Sequence, residues 1–214
     1  MRSLATLLLL PAALAAPVYK PVPGVGMMHE ACVFDMPSGT EVHVGETSTI
    51  LTFPNGSVLE RGLCADLAAP HPMIQVSEGA EEVGKGLRGA DDDFLPPDYD
   101  GWLQYTQWKY EPNTNAFTGF FSVPDVPAQP AQVLYFFTGL QNIPWIPKVD
   151  PLPTQDFTII QPVLQTPGSS TGWAVRSWYV TLKAGAYAST PIDLNPGDKV
   201  WGNMTRTGPD AWTI

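Results

Sequence analysis

Twenty-three prolines and nineteen glycines punctuate this chain of 214 residues. A proline inside a helix removes a hydrogen bond and clashes with the preceding turn, so punctuation this dense excludes a helical bundle. It does not mean disorder. Hydrophobic residues make up 44% of the chain and charged ones only 15%, more apolar than a chain that stays unfolded. What survives between the breakers is a series of short runs rich in aromatic and β-branched residues: Trp102–Tyr110, Phe117–Val123, Gln132–Leu140, Phe157–Gln165, Trp173–Leu182, Lys199–Thr205 and Ala211–Ile214. Several, such as Val133–Phe137, are apolar on both faces, and none shows a sustained 3.6-residue period. The expected fold is all-β, an antiparallel two-sheet β-sandwich. Ala211–Ile214 reads as the opening of a strand with no turn after it, so the expected sandwich is C-terminally incomplete.

The first 16 residues read as a signal peptide. Arg2 precedes the apolar run Leu4–Leu10, and Ala13-Leu14-Ala15 offers a cleavage site. Two cysteines, Cys32 and Cys64, form an even count that in an oxidising compartment predicts one bridge. Asn55-Gly56-Ser57 and Asn203-Met204-Thr205 are glycosylation sequons. A secreted, extracellular product is expected.

Charge divides the chain. Residues 1–111 hold 15 acids and 6 bases, residues 112–214 hold 6 and 5. Residues 17–76 contain apolar alternation on either side of Asn55-Gly56, the pattern of a hairpin, and with the Cys32–Cys64 bridge they read as a small stapled β-module. Residues 77–98, with Glu81-Glu82 and Asp91-Asp92-Asp93, read as an acidic linker; the spacing of a calcium loop is missing. Residues 99–214 are then the sandwich. A net charge of −10 repels phosphate, so no nucleic acid is expected as partner. No later stretch is apolar enough to span a membrane.

The chemistry of residues 99–214 is defined by what they lack. His29, His43 and His71 all precede residue 72, no cysteine follows Cys64, and no glutamate follows Glu111. A Ser-His-Asp or Cys-His arrangement is excluded there, and no zinc or other metal site and no cofactor is expected. Asp125, Asp150, Asp198 and Asp210 sit beside Pro or Gly, where aspartate serves turns. The residues left for a site are amides and aromatics. Period-two alternation places Gln161 and Gln165 on one face of their strand among apolar neighbours, in an open groove or in a hydrogen-bond network. Arg176 and Trp178 share a face of the next run, and Trp201 shares one with Asn203, so a used sequon would turn Trp201 outward. Trp173, Trp178 and Trp201 read first as packing; facing outward, they would stack on sugar rings. Pro162, which lacks a ladder donor, predicts an edge or a bulge.

The order of Phe121-Ser122-Val123-Pro124, the Val133–Gly139 strand, Ile159–Gln165, Ser177-Trp178-Tyr179-Val180 and Asn195–Val200 resembles secreted fungal concanavalin-A-like sandwich proteins. More distantly it is similar to the glutamic peptidases (eqolisins). The resemblance covers residues 100–206 and implies a jelly roll. It also implies a catalytic role for Gln161, with Gln165 a shifted alternative, beside a glutamate that has no counterpart here. Without that acid/base the glutamine cannot move a proton. The expected protein is therefore a monomer without catalysis that binds an extracellular polysaccharide. Gln161, Gln165, Arg176, Trp178 and Trp201 are its candidate contacts. The alternatives are an acid-active hydrolase of a protein substrate lacking its glutamate strand, or a structural surface protein.

Overall fold

A computed structural model describes residues 18–64, 106, 114–127, 133–142, 157–166 and 172–214. The expected signal peptide, the acidic linker and the Trp102–Tyr110 strand (save Thr106) lie outside the described residues. Inside them the chain is all-β. The strands are β1 (Tyr19–Val22), β2 (Gly26–His29), β3 (Val33–Met36), β4 (Glu41–Val44), β5 (Ser48–Thr52), β6 (Val58–Gly62), β7 (Ala116–Ser122), β8 (Leu134–Phe137), β9 (Leu140–Gln141), β10 (Thr158–Thr166), β11 (Trp173–Thr181), β12 (Gly185–Ser189), β13 (Ile192–Leu194), β14 (Lys199–Gly208) and β15 (Ala211–Thr213). A single 3-10 turn, Glu30–Cys32, separates β2 from β3.

A seven-stranded sheet runs β3-β12-β11-β10-β8, with β9 paired to β10 and β13 to β11. Its ladders are antiparallel except β3–β12, which is parallel. Two strands so far apart in sequence can lie parallel because a long connection brings the chain back. Through β3, residues from the 17–76 segment enter the same sheet as β10–β12. The remaining strands form a β1–β2 hairpin and two three-stranded sheets, β4-β5-β6 and β15-β14-β7, the latter with β15 at one edge. The Asn55-Gly56 turn joins β5 to β6 as its sequence predicts: Gly56 takes φ +80°, and Asn55 Oδ1 accepts from the Ser57 amide at 3.0 Å.

Side-chain alternation assigns the two faces of the large sheet. Ile159, Gln161 and Val163 of β10, Trp178 and Val180 of β11, and Ala186 and Ala188 of β12 face the β1–β2 hairpin. There they pack with Val22, Val25, Met28 and the Cys32–Cys64 bridge. The bridge closes a loop of sequence separation 32. A loop that long restrains the unfolded chain by about 3–4 kcal/mol in the chain-entropy account. The opposite face is covered by the two small sheets. Tyr179, Tyr187 and Met36 meet Leu51 of the β4-β5-β6 meander, and Leu164 and Trp173 meet Val200 and Phe121 of the other. The result is sandwich-like, with the larger sheet covered on both sides.

Pro162 sits in the middle of the large sheet, where an edge or a bulge was expected. Its neighbour gives way instead. β10 pairs Val163 with Phe137 of β8 and Ile160 with Leu140 of β9, a single continuous register in which Pro162 and Gln161 lie opposite Thr138 and Gly139. Strand pairing lapses there, where Pro162 offers no N–H. The Pro162 ring and the Thr138 side chain then face β14 and β7, where Gly202 and Gly119 stand opposite each other in the ladder. A Cβ on Gly202 would collide with the Pro162 ring, and one on Gly119 with Thr138. The two sheets meet closely because both positions are glycine. Val133–Phe137, read as buried on both faces, is the last strand in the sheet order, and Phe136 remains 44% exposed.

Gly202→Ala and Gly119→Ala should each lower stability by about 1–3 kcal/mol, as overpacking does. Gly62→Ala, whose Cβ would meet nothing within 4 Å, should change it by less than about 0.5 kcal/mol. Urea denaturation of the three variants decides. Equal midpoints would refute the close contact.

Candidate functional site

The structure separates the candidate residues into two places. Gln165, Arg176 and Trp178 converge, with Lys20, Asp35 and Tyr135, on a cleft of about 180 Å³ between β1 and the large sheet. The polar groups there hold one another. Trp178 Nε1 donates to Gln165 Oε1 at 3.0 Å, and the Tyr135 hydroxyl donates to the Pro21 carbonyl at 3.0 Å. Arg176 donates from Nε to Ser189 O at 2.6 Å, pairs with Asp35, and lies 5.4 Å from the Trp178 ring centroid. Trp178 is only 3% exposed, so its ring packs and is closed to a ligand. The cleft is smaller than the ~300 Å³ at which small-molecule sites begin. Its geometry is that of a latch holding β1 to the sheet.

Gln161 adjoins this cleft but is fully buried. It takes the hydrogen-bond-network alternative and not the open groove. Its Nε2 donates to the Pro23 carbonyl of the β1–β2 turn at 3.0 Å, while Oε1 has no partner among the described residues. Gly24 and Gly139 flank the amide on either side. The cause is the alternation fixed by Pro162: with the proline facing β14, Gln161 must face the hairpin.

The second place is the outer face of β7-β14-β15. Gly202 and the fully buried Met204 point inward, so Trp201, Asn203 and Thr205 point out. Across the ladder they stand beside Phe120, Thr118 and Ala116. Trp201 is 76% and Phe120 60% exposed, and their rings meet edge to face at 6.1 Å. On one side a hydrogen-bonded row begins. Thr118 Oγ1 donates to Asn203 Oδ1 at 2.9 Å, and Asn203 Nδ2 donates to Thr205 Oγ1 at 2.8 Å. On the other side Lys199 Nζ donates to Ser122 Oγ. From Lys199 to Thr205 the face runs about 20 Å at the rise of an extended strand. An apolar corner on an open sheet, framed by hydroxyls, an amide and one ammonium, suits a long, neutral, hydroxylated ligand.

Phe120 went unnoticed in the sequence, although a signal was present. Two adjacent phenylalanines in a strand, Phe120-Phe121, must face opposite ways, and Gly119 marks the neighbouring position where the Thr138 side chain comes close. The other candidates take simpler places. Asn55 is exposed at its hairpin turn. Asp198 accepts from the Asn195 amide at 2.8 Å in a turn; Asp150 lies outside the described residues. His29 Nδ1 accepts from the Ala31 amide. Among the described residues no three His, Cys, Asp or Glu side chains gather as metal ligands, and no helix is long and apolar enough to cross a membrane.

Comparison of the chain with protein-family models, curated proteins and solved structures gives no match.

Two half-buried phenols, Tyr135 at the latch and Tyr179 on the opposite face of the large sheet, make the packing sensitive to alkali. Burial raises the Tyr135 hydroxyl far above its ordinary value, opposed by the Arg176 guanidinium. Burial and the neighbouring Tyr187 push Tyr179 from 10.0 up to about 12. A folded-state value raised above the unfolded one means the native state holds its proton longer. The stabilisation is complete below pH 10 and is lost as pH rises toward about 12. Tyrosinate absorbance from these two rings should therefore appear together with loss of the fold. Ionisation of both phenols in a chain that stays folded near pH 10 would refute their burial.

Proposed function

We propose that this chain is a secreted, non-catalytic β-sandwich protein that binds a neutral extracellular polysaccharide on the outer face of β7-β14-β15. The observation that carries the reading is the Trp201–Phe120 corner, which leaves two large rings exposed side by side on an otherwise polar sheet face. Apolar rings present surface to the C–H faces of sugars, and the flanking amide and hydroxyls match sugar hydroxyls. Single-stranded nucleic acid also stacks on rings, but a chain of net charge −10 repels it, and by the same argument it disfavours a polyanionic glycan. The hydrophobic start of the sequence and the Cys32–Cys64 bridge support secretion.

The concanavalin-A-like resemblance belongs to this proposal and agrees with a sandwich-like fold. The hydrolase reading has less support. Gln161, the residue it needs, is buried and bonded to the Pro23 carbonyl. A purely structural role is the outcome if no glycan binds.

Protein made without N-glycans should be retained on insoluble β-glucan or chitin more than on pectin. Trp201→Ala and Phe120→Ala should each weaken retention at least about tenfold, as loss of a central aromatic contact does. Ile192→Ala, 62% exposed but on β13, should not. Failure of the parent to bind any of the three, or unimpaired binding by Trp201→Ala, would refute the proposal.

A further inference from the structure

The proposed binding face carries its own acceptor for a sugar. Asn203-Met204-Thr205 is a sequon laid along β14 with Met204 fully buried, so both of its polar residues stand on the outer face. Trp201 precedes Asn203 by two residues, the spacing that puts neighbours on one face of a strand about 6.6–6.8 Å apart. The indole is the most exposed of the large apolar side chains described, at 76%. Asn203 is already oriented, with Oδ1 accepting from Thr118 and Nδ2 donating to Thr205.

We propose that Asn203 is an N-glycosylation site whose occupancy switches this face: where it is occupied, the first sugar of the glycan lies on the Trp201 indole with Phe120 beside it and closes the face, and polysaccharide binds only to chains whose Asn203 carries no glycan. The linkage is formed with a polyprenyl-pyrophosphate-linked oligosaccharide as donor. The Nδ2–C1 bond forms, the C1–oxygen bond to pyrophosphate breaks, and one Nδ2 proton leaves. The substituted amide keeps its second N–H as a donor, and Trp201, two residues away on the same face, lies within reach of the first sugar. An exposed indole that would otherwise cost solubility then gains a cover.

Asn55 provides the internal comparison. An aromatic residue, Phe53, also precedes it by two, but Phe53 packs against the Leu51–Tyr187 cluster, and the Asn55 Oδ1 is held by Ser57. A glycan there has a ring already covered by the protein.

The modification site stands on its own residues; its effect on polysaccharide rests on the reading above. The test uses the chain secreted from a eukaryotic host, beside Asn203→Gln, Thr205→Ala, Asn55→Gln and Trp201→Phe. Peptide mass spectrometry should find Asn203 occupied, and both Asn203→Gln and Thr205→Ala should abolish that occupancy. The share of tryptophan fluorescence due to Trp201, taken by difference from Trp201→Phe, should be open to acrylamide quenching in Asn203→Gln and Thr205→Ala. It should lose that access in the glycoprotein and in Asn55→Gln. An unoccupied Asn203, or an occupied one with Trp201 still quenched, would overturn the inference. Retention on glucan or chitin should be lost in the glycoprotein and present in the unsubstituted chain made without N-glycans. Occupancy and shielding without any retention by the chain made without N-glycans would sink the polysaccharide reading while leaving the glycan seat in place.

Discussion

The arrangement turns on one contact, Pro162 and Thr138 of the large sheet against Gly202 and Gly119 of the small one. Its physics is steric. A rigid ring and a β-branched side chain approach a neighbouring backbone so closely that no Cβ fits on the far side. Because strands alternate, fixing one residue of each strand fixes them all. With Gly202 inward, Trp201 and Asn203 must face out. With Pro162 toward β14, Gln161 must face the hairpin. The exposed aromatic corner and the buried glutamine are two consequences of the same packing decision, expressed on two different strands.

The hairpin side shows what burying that glutamine requires. Val22 and Met28 have no exposure, the Cys32–Cys64 bridge packs behind them, and the Pro23 carbonyl meets the amide nitrogen. One oxygen, Gln161 Oε1, stays without a partner among the described residues, a cost on the order of 1–3 kcal/mol. Such a penalty is tolerable because the surrounding apolar burial is extensive and the loop bridge restrains the unfolded chain. The Tyr135–Pro21 and Trp178–Gln165 bonds complete the latch at the cleft. Three of the amides and aromatics that read as site candidates, Gln161, Gln165 and Trp178, are thereby engaged in holding β1 and β2 to the sheet.

Much of this was legible in the chain and some was not, for physical reasons. Runs of β-branched and aromatic residues announced β7, β10, β11, β14 and β15, and Asn55-Gly56 announced the turn between β5 and β6. Those signals are local, and so they survive in sequence. β12 was silent because it reads Gly-Ala-Tyr-Ala-Ser, with little β propensity. Its small residues are dictated by proximity: Ala186 and Ala188 are fully buried, and a Cβ on Gly185 would strike the Cys32 carbonyl. Tertiary crowding selected against the bulky residues that normally mark a strand. β1, with Pro21 inside it, and the short β3, β4 and β13 were silent for want of length or pattern. Of the candidate site, parity alone could orient Trp201 outward. Phe120 and the collapse of Gln161 into the hairpin depended on which sheet covered which face, and no single strand records that.

An antiparallel sheet with one face in water is expected to turn polar residues outward. The β7-β14-β15 sheet follows that rule at Ser122, Lys199, Thr118, Asn203 and Thr205, and breaks it at Phe120 and Trp201. Breaks in a local rule that packing does not explain are where function is to be sought. Packing does not explain these two rings, since the contact that turns β14 would be satisfied by any residue at 201. The two occupants proposed for the corner are both sugars, one from a polymer outside and one carried on Asn203. They fit for the same reason: the face offers apolar area for C–H surfaces, amide and hydroxyl groups for sugar hydroxyls, and almost no charge. A nucleic-acid partner would require phosphate-neutralising charge that a single lysine does not supply.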